Sequence, residues 1–177
     1  MRRFVLTGTP GAGKSTILRQ LELEGFAVVE EAATDLIAVA QAQGITEPWR
    51  HAWFIDAIVD LQKRRQMRAS CLADEVQFYD RSVFCTAALA VYLGQQRSLA
   101  LSRELERVER HQIYEKRVFF VRHLGFITPT GARRISLEEA LRFEQIHEHL
   151  YRGFGFELIS VEPGSVADRV ALIKAAL

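Results

Sequence analysis

Cysteine is scarce in this chain: only Cys71 and Cys85 occur among its 177 residues. Two thiols make no disulfide framework, so a stapled mini-protein is excluded and a reducing compartment fits. Four prolines and no biased stretch leave neither a linker nor a low-complexity segment. Charge of one sign is also missing. Lys and Arg total 23 against 22 Asp and Glu, a net charge of +1, so the basic field of a dedicated nucleic-acid binder is absent. No apolar run approaches the roughly 18 residues that a membrane span needs. The run after Arg2-Arg3 is interrupted at Gly8, too soon for a signal-peptide core. Hydrophobic residues at 49% and charged residues at 25% exclude a disordered or fibrous chain. The expectation is one cytoplasmic domain over 1–177, with no nucleic-acid or membrane partner and no internal repeat.

Short apolar runs alternate with longer amphipathic ones. Strands are predicted over 4–6, 26–29, 75–79, 117–121 and 155–161. Helices are predicted over 14–23, 31–43, 49–71, 83–93, 99–111, 136–151 and 165–175. Gly25 and Gly44 end the first two helices. Ser136 and Glu139 form a capping-box pattern that starts the sixth. Five strands separated by helices imply an α/β fold, a parallel sheet covered on both faces.

The segment Gly8-Thr9-Pro10-Gly11-Ala12-Gly13-Lys14-Ser15 fits the P-loop (Walker A) pattern at every fixed position. An apolar strand precedes it and a helix follows. Its glycines let backbone N–H groups turn inward around a phosphate chain, and the helix N-terminus adds partial positive charge. Lys14 is expected to reach the β- and γ-phosphates, and the Ser15 hydroxyl to ligate Mg²⁺. Thr16 is a candidate donor to a second phosphate. The pattern implies ATP-type nucleotide binding. It does not distinguish transfer to water from transfer to an acceptor.

Ligands of open α/β sheets gather at the carboxyl ends of the strands. The third strand ends in Asp80-Arg81-Ser82. Asp80 is a candidate Mg²⁺ organiser or proton acceptor, and Arg81 a candidate for neutralising phosphate charge. Ser82 is expected to cap the next helix. Glu30, at the end of the second strand, is a candidate ligand of an acceptor hydroxyl. Arg133 and Arg134 fall in the Gly- and Pro-bearing stretch 124–136, expected to be a lid that closes on the transferring phosphoryl. Lys63, Arg64, Arg65 and Arg68 read as a solvated basic face. Trp49, Trp53 and Phe54 read as packing residues, Asp56 and Asp60 as solvent-facing, and both cysteines as core. The histidines show no metal-ligand spacing; His147 and His149 cannot share one helical face.

With Thr16 added, the glycine-rich loop resembles that of the small P-loop kinases. Asp80-Arg81-Ser82 resembles the acid-Arg-Ser triplet of deoxyribonucleoside kinases and the Asp-Arg pair of thymidylate kinases. Glu30 is similar to the acid that those kinases place near the acceptor. Overall the chain most resembles the AAA-domain group that includes the ribosylnicotinamide-kinase domain of NAD-salvage proteins. The stretch from Gly153 to Ile159, then Val161 and Arg169-Val170, extends the likeness over nearly the whole chain. The resemblance implies a P-loop NTPase sandwich with strand order 2-3-1-4-5, ATP with Mg²⁺, and an acceptor cleft between the long helix and strand two. It also implies an arginine lid and adenine contacts from backbone around Glu162 to Ser165. The long helix departs from deoxyribonucleoside kinases in its Tyr and Gln arrangement.

Three functions remain in contention. The first is an ATP-dependent kinase acting on a small nucleoside- or nucleotide-like acceptor. The second is an ATPase or switch acting on a protein partner; the third strand ends Asp80-Arg81 rather than in the Asp-Glu of a motor ATPase. The third is a GTPase, for which no Asn-Lys-x-Asp or Thr-Lys-x-Asp guanine motif occurs.

Overall fold

A computed structural model describes residues 1–124 and 136–177. β1 (Arg2–Gly8) runs up the centre of the sheet and leads through the glycine-rich loop into α1 (Lys14–Leu23). β2 (Ala27–Val29) and α2 (Ala32–Ala42) follow, then a single 3₁₀ turn at Pro48–Arg50 and α3 (Trp53–Ala69). The long helix thus starts later than predicted. Pro48 opens the 3₁₀ turn, and the extended backbone of His51 breaks it from α3. β3 (Val76–Asp80), α4 (Val83–Tyr92), α5 (Leu99–Arg110), β4 (Arg117–Val121), α6 (Leu137–Gly153), β5 (Glu157–Val161) and α7 (Val166–Ala175) complete the order. The capping box of Ser136 and Glu139 at α6 is present in both directions. The residues 133 and 134, and most of the expected lid, lie outside the described residues.

All five strands are parallel, in the order β2-β3-β1-β4-β5, as the resemblance implies. The strands are apolar on both sides because helices cover both faces. Along β1, Phe4 and Leu6 face α1 and α7 with Phe78, Phe119, Val121 and Ile173. Val5 faces the opposite layer, with Tyr79, Val83, Leu105, Val118 and Tyr151 from β3 and from α4, α5, β4 and α6. A smaller cluster of Ala32, Ile37, Phe54 and Ile58 fastens α2 to α3. Among the described residues no helix is long and apolar enough to cross a membrane.

Gly8 marks where the sheet gives way to the loop. Its φ is +126°, and a Cβ there would lie 2.2 Å from the Val121 carbonyl oxygen on β4. Gly8→Ala is expected to destabilise the fold by about 3 kcal/mol or more, combining backbone strain with backbone overlap. Gly25 also has positive φ, but no atom lies within 4 Å of its notional Cβ. Gly25→Ala should therefore cost only about 1 kcal/mol. Denaturant midpoints of the two variants check the difference, and equal shifts would contradict the steric argument.

Candidate functional site

Strand register builds the site. Leu6 pairs with Asp80, and the Arg81 N–H continues the ladder to the Leu6 carbonyl at 3.0 Å. Asp80 therefore ends β3 level with the start of the glycine-rich loop. Side chains alternate along β3, so Asp80 follows Phe78 onto the α1 face. There it lines a small cavity of about 180 Å³ with Ser15, Arg19, Glu30 and Glu31. Arg81 turns away from that face through a left-handed backbone, φ +70°, which is unusual for a residue with a Cβ.

The glycine-rich loop joins β1 to α1. Gly13 caps α1 in the left-handed region, and the buried Lys14 ammonium donates to the carbonyls of Thr9 at 2.8 Å and Gly8 at 3.3 Å. Ser15 and Thr16 are exposed in the first turn of α1. Burial, and then the Arg81 charge, push the Lys14 amine down to about 8. Two buried oxygens beside this cradle, Thr9 Oγ1 and Asp80 Oδ1, have no hydrogen-bond partner. Burial raises the Asp80 carboxyl above its ordinary range, against the pull of Lys14. From the other side, Arg169 on α7 donates to the Ala12 carbonyl at 2.9 Å. Its guanidinium lies where a side chain at position 13 would go.

Beyond Arg81 opens a cavity of about 540 Å³ between α2, the 3₁₀ turn, α3, α4 and α6. Aromatic and aliphatic side chains wall it, including Trp49, Phe54, Ile58, Tyr92 and Phe143. Polar groups interrupt that wall: Glu31 and Arg81 at the inner end, Glu47 and Arg50 around the 3₁₀ turn, Glu139 on α6, and Gln62, which accepts from the Thr86 hydroxyl at 2.8 Å. Arg81 Nε donates to Glu31 Oε1 at 2.6 Å, and the Thr34 hydroxyl donates to Glu31 Oε2 at 2.6 Å. Burial works against the Glu31 charge, but Arg81 and Lys14 outweigh it and hold the carboxyl below its ordinary range. Glu31 lines both the large cavity and the small one beside Ser15.

The profile of the AAA domain matches residues 3–169. This chain belongs to the AAA domain family. No curated protein sequence matches it. Among solved structures, it is similar to deoxyadenosine kinase from M. mycoides with bound dATP, at 15% identity and a TM-score of 0.65. That alignment covers 98% of each chain. It is also similar to the NadR protein in complex with NAD and AMP-PNP, at 15% identity and a TM-score of 0.71. There it covers 98% of this chain and 49% of the other, so it spans about half of NadR. The fold of this AAA domain is that of the small P-loop kinases.

Several side chains of this AAA domain sit differently from the sequence expectation. Glu30 is exposed and paired with Arg19 at 3.1 Å; it lines the small cavity with Asp80, as expected, while its neighbour Glu31 lines both cavities. β2 ends at Val29, where its apolar run predicts, and Glu31 takes the N-cap position of α2. Asp80 lines the small cavity and not the large one, whereas Arg81 lines the large one. Ser82 caps α4 as expected, accepting from the Phe84 N–H at 3.3 Å. Trp49 and Phe54 line the cavity, but Trp53 is largely exposed against His51. Arg65 in the basic patch is a structural anchor, donating to the carbonyls of Glu30 and Glu31 and pairing with Asp35. Asp56 accepts from the Ser98 hydroxyl at 2.5 Å instead of facing water, while Asp60 pairs on the surface with Arg64. Cys85 is buried, but Cys71 is exposed just past the end of α3.

His147 is the residue that sequence reading passed over. It lies on α6, fully buried, with its ring 4.3 Å from that of Phe143. Burial, with Arg81 and Lys14 adding to it and the Phe143 carbonyl opposing, pushes its pKa down to about 3. An unfolded histidine titrates near 6.5, so below that pH the unfolded chain binds a proton that the folded chain refuses. Stability is therefore full above about pH 6.5 and falls as the pH drops. Between pH 7 and pH 5 this site alone should remove about 2 kcal/mol. His147→Asn should lose less stability over the same interval by about that amount. Denaturation curves at the two pH values check it, and parallel losses would contradict it.

Proposed function

We propose that this AAA domain is an ATP-dependent phosphotransferase that moves the γ-phosphoryl group to a small nucleoside- or nucleotide-like acceptor. One observation carries the reading. An aromatic-walled cavity of about 540 Å³, a size suited to a small organic molecule, opens directly beside the phosphate loop, with Glu31 and Arg81 at the junction. An ATPase that acts on a protein partner needs no such pocket at its phosphate site.

In this reading the loop of Gly8, Thr9, Pro10, Gly11, Ala12 and Gly13 wraps the phosphate chain with backbone N–H groups from its residues other than Pro10, which has none, Lys14 neutralises the chain, and Thr16 adds a donor. The turn after β5, around Glu162 to Ser165, supports the adenine, and Arg169 ties that side to the loop through Ala12. The unpartnered Asp80 Oδ1 and the exposed Ser15 hydroxyl suit Mg²⁺, an ion that takes one or two protein oxygens with phosphate and water. Among the described residues no three His, Cys, Asp or Glu side chains form a metal cage, so the phosphates would complete the site. When bound, the ion spreads the charge that builds on the transferring group.

The acceptor enters the large cavity and presents its reacting oxygen to Glu31. That carboxylate is kept ionised, so it can orient a hydroxyl and take its proton late in transfer. Arg81 then lies between acceptor and phosphate, where its charge counts most in the transition state. Arg133 and Arg134 supply the closing charge from the segment that follows β4. Residues 1–177 act as one unit, with that segment as its lid. ATP consumption without acceptor, compared with consumption on a panel of nucleosides and nucleotides, tests the proposal. Consumption that rises sharply with one acceptor supports it; consumption indifferent to every acceptor counts against it.

A further inference from the structure

Behind the reactive face of Arg81, α6 supplies a set of polar contacts to the Asp80-Arg81-Ser82 triplet. The Tyr151 hydroxyl meets Ser82 Oγ at 2.8 Å and Cys85 Sγ at 3.1 Å, and Cys85 Sγ meets Thr7 Oγ1 at 3.1 Å. One turn earlier, His147 Nε2 lies 3.4 Å from Arg81 Nη1, and Nδ1 lies 2.9 Å from the Phe143 carbonyl. A guanidinium only donates and a carbonyl only accepts. Both contacts are satisfied by a single form of the ring: neutral, with the proton on Nδ1 and the lone pair of Nε2 facing Arg81.

Arg81 needs such support. Its backbone is left-handed, and its side chain is long and flexible. Glu31 fixes Nε from the β2 side. A second contact from α6, on the opposite wall, sets the rotation of the guanidinium plane about that first bond. We infer that His147 is a positioning residue, a neutral acceptor on α6 that with Glu31 fixes the plane of the Arg81 guanidinium toward the phosphate loop. The inference rests on the phosphotransfer reading for its kinetic consequence, though not for its geometry. It also gives α6 a task. The contact joins the middle of α6 to the strand-end triplet.

Two readouts test this. The first needs no activity: the ¹⁵N–¹H signal of Arg81 Nε, assigned by its loss in Arg81→Lys. It should be sharp and slowly exchanging in the full chain. His147→Phe keeps an aromatic ring against Phe143 but removes the acceptor, and should broaden the signal. His147→Gln, which can return an acceptor near the Nε2 position, should restore it. The second readout is kinetic. With the best acceptor, His147→Phe should lower kcat roughly tenfold, the scale of a small misplacement, with ATP affinity unchanged within about twofold. His147→Gln should recover to within about threefold. In an Arg81→Lys background, His147→Phe should have no further effect on kcat. If His147→Phe does not fold, His147→Asn, which keeps the bond to the Phe143 carbonyl and falls short of Arg81, is measured in its place. An Arg81 signal that is unchanged in the acceptor-less variant overturns the inference. So does a kcat loss of equal size with and without Arg81, since that marks a general packing defect. A wild-type protein that transfers phosphoryl to no acceptor defeats the functional proposal alone, and the Arg81 signal still decides the role of His147.

Discussion

Lys14→Ala is expected to lower ATP turnover by about 10² to 10³, the scale seen when one preorganised positive or hydrogen-bonding group is removed from a transition state. Lys14 is buried, and its ammonium is held inside the loop by two carbonyls. A triphosphate on the same loop would offer it a fuller countercharge. Stability should move little or rise. The folded protein keeps this charge out of water, as the lowered amine pKa indicates, so its removal relieves a burial cost. The variant should unfold within about 1 kcal/mol of wild type or later. Turnover and a denaturant curve on the same sample separate the two effects. Wild-type turnover in Lys14→Ala would remove the phosphate loop from the chemistry. Lost turnover together with a collapsed fold would mean that Lys14 acts through structure.

Glu31→Gln and Asp80→Asn should fail in different ways. Glu31 lines both cavities and stays ionised against Arg81, whereas Asp80 faces only the small cavity beside Ser15. Glu31→Gln keeps an oxygen for the Arg81 Nε–H but removes the basic carboxylate. Phosphoryl transfer should fall by about 10² to 10⁴, the range for a lost general base. ATP binding should hold within about tenfold, or roughly 1.4 kcal/mol. Asp80→Asn should also slow transfer, but its defect should shrink as Mg²⁺ is raised, because a weakened metal site refills by mass action. Single-turnover rates at low and high Mg²⁺ for both variants provide the check. A Glu31→Gln rate equal to wild type would leave the acceptor without its base. A Mg²⁺-insensitive Asp80→Asn defect would assign Asp80 to proton transfer.

Local sequence carried the elements that depend on local rules. The apolar runs gave the strands, and the Ser136–Glu139 spacing gave the α6 cap. The glycine-rich loop could be placed between β1 and α1 because its residue types and its position agree. The choice between Glu30 and Glu31 was not local. It depends on how the chain turns between β2 and α2, where Arg65, 35 and 34 residues away in sequence, binds the carbonyls of both. His147 was illegible for a related reason. An isolated histidine on an amphipathic helix resembles any core residue until the helix is packed against Arg81, 66 positions earlier. Gln62 and the aromatic cavity wall come from three helices and a 3₁₀ turn that no sequence period connects.

The most direct measurement is a single turnover with enzyme in excess over ATP labelled in its γ-phosphate, run with and without the best acceptor of the panel. Phosphotransfer requires the label to appear in the acceptor, fast and in near-stoichiometric amount, with little inorganic phosphate formed when the acceptor is left out. Label released to inorganic phosphate at the same rate in both reactions would contradict the account and make this AAA domain a hydrolase.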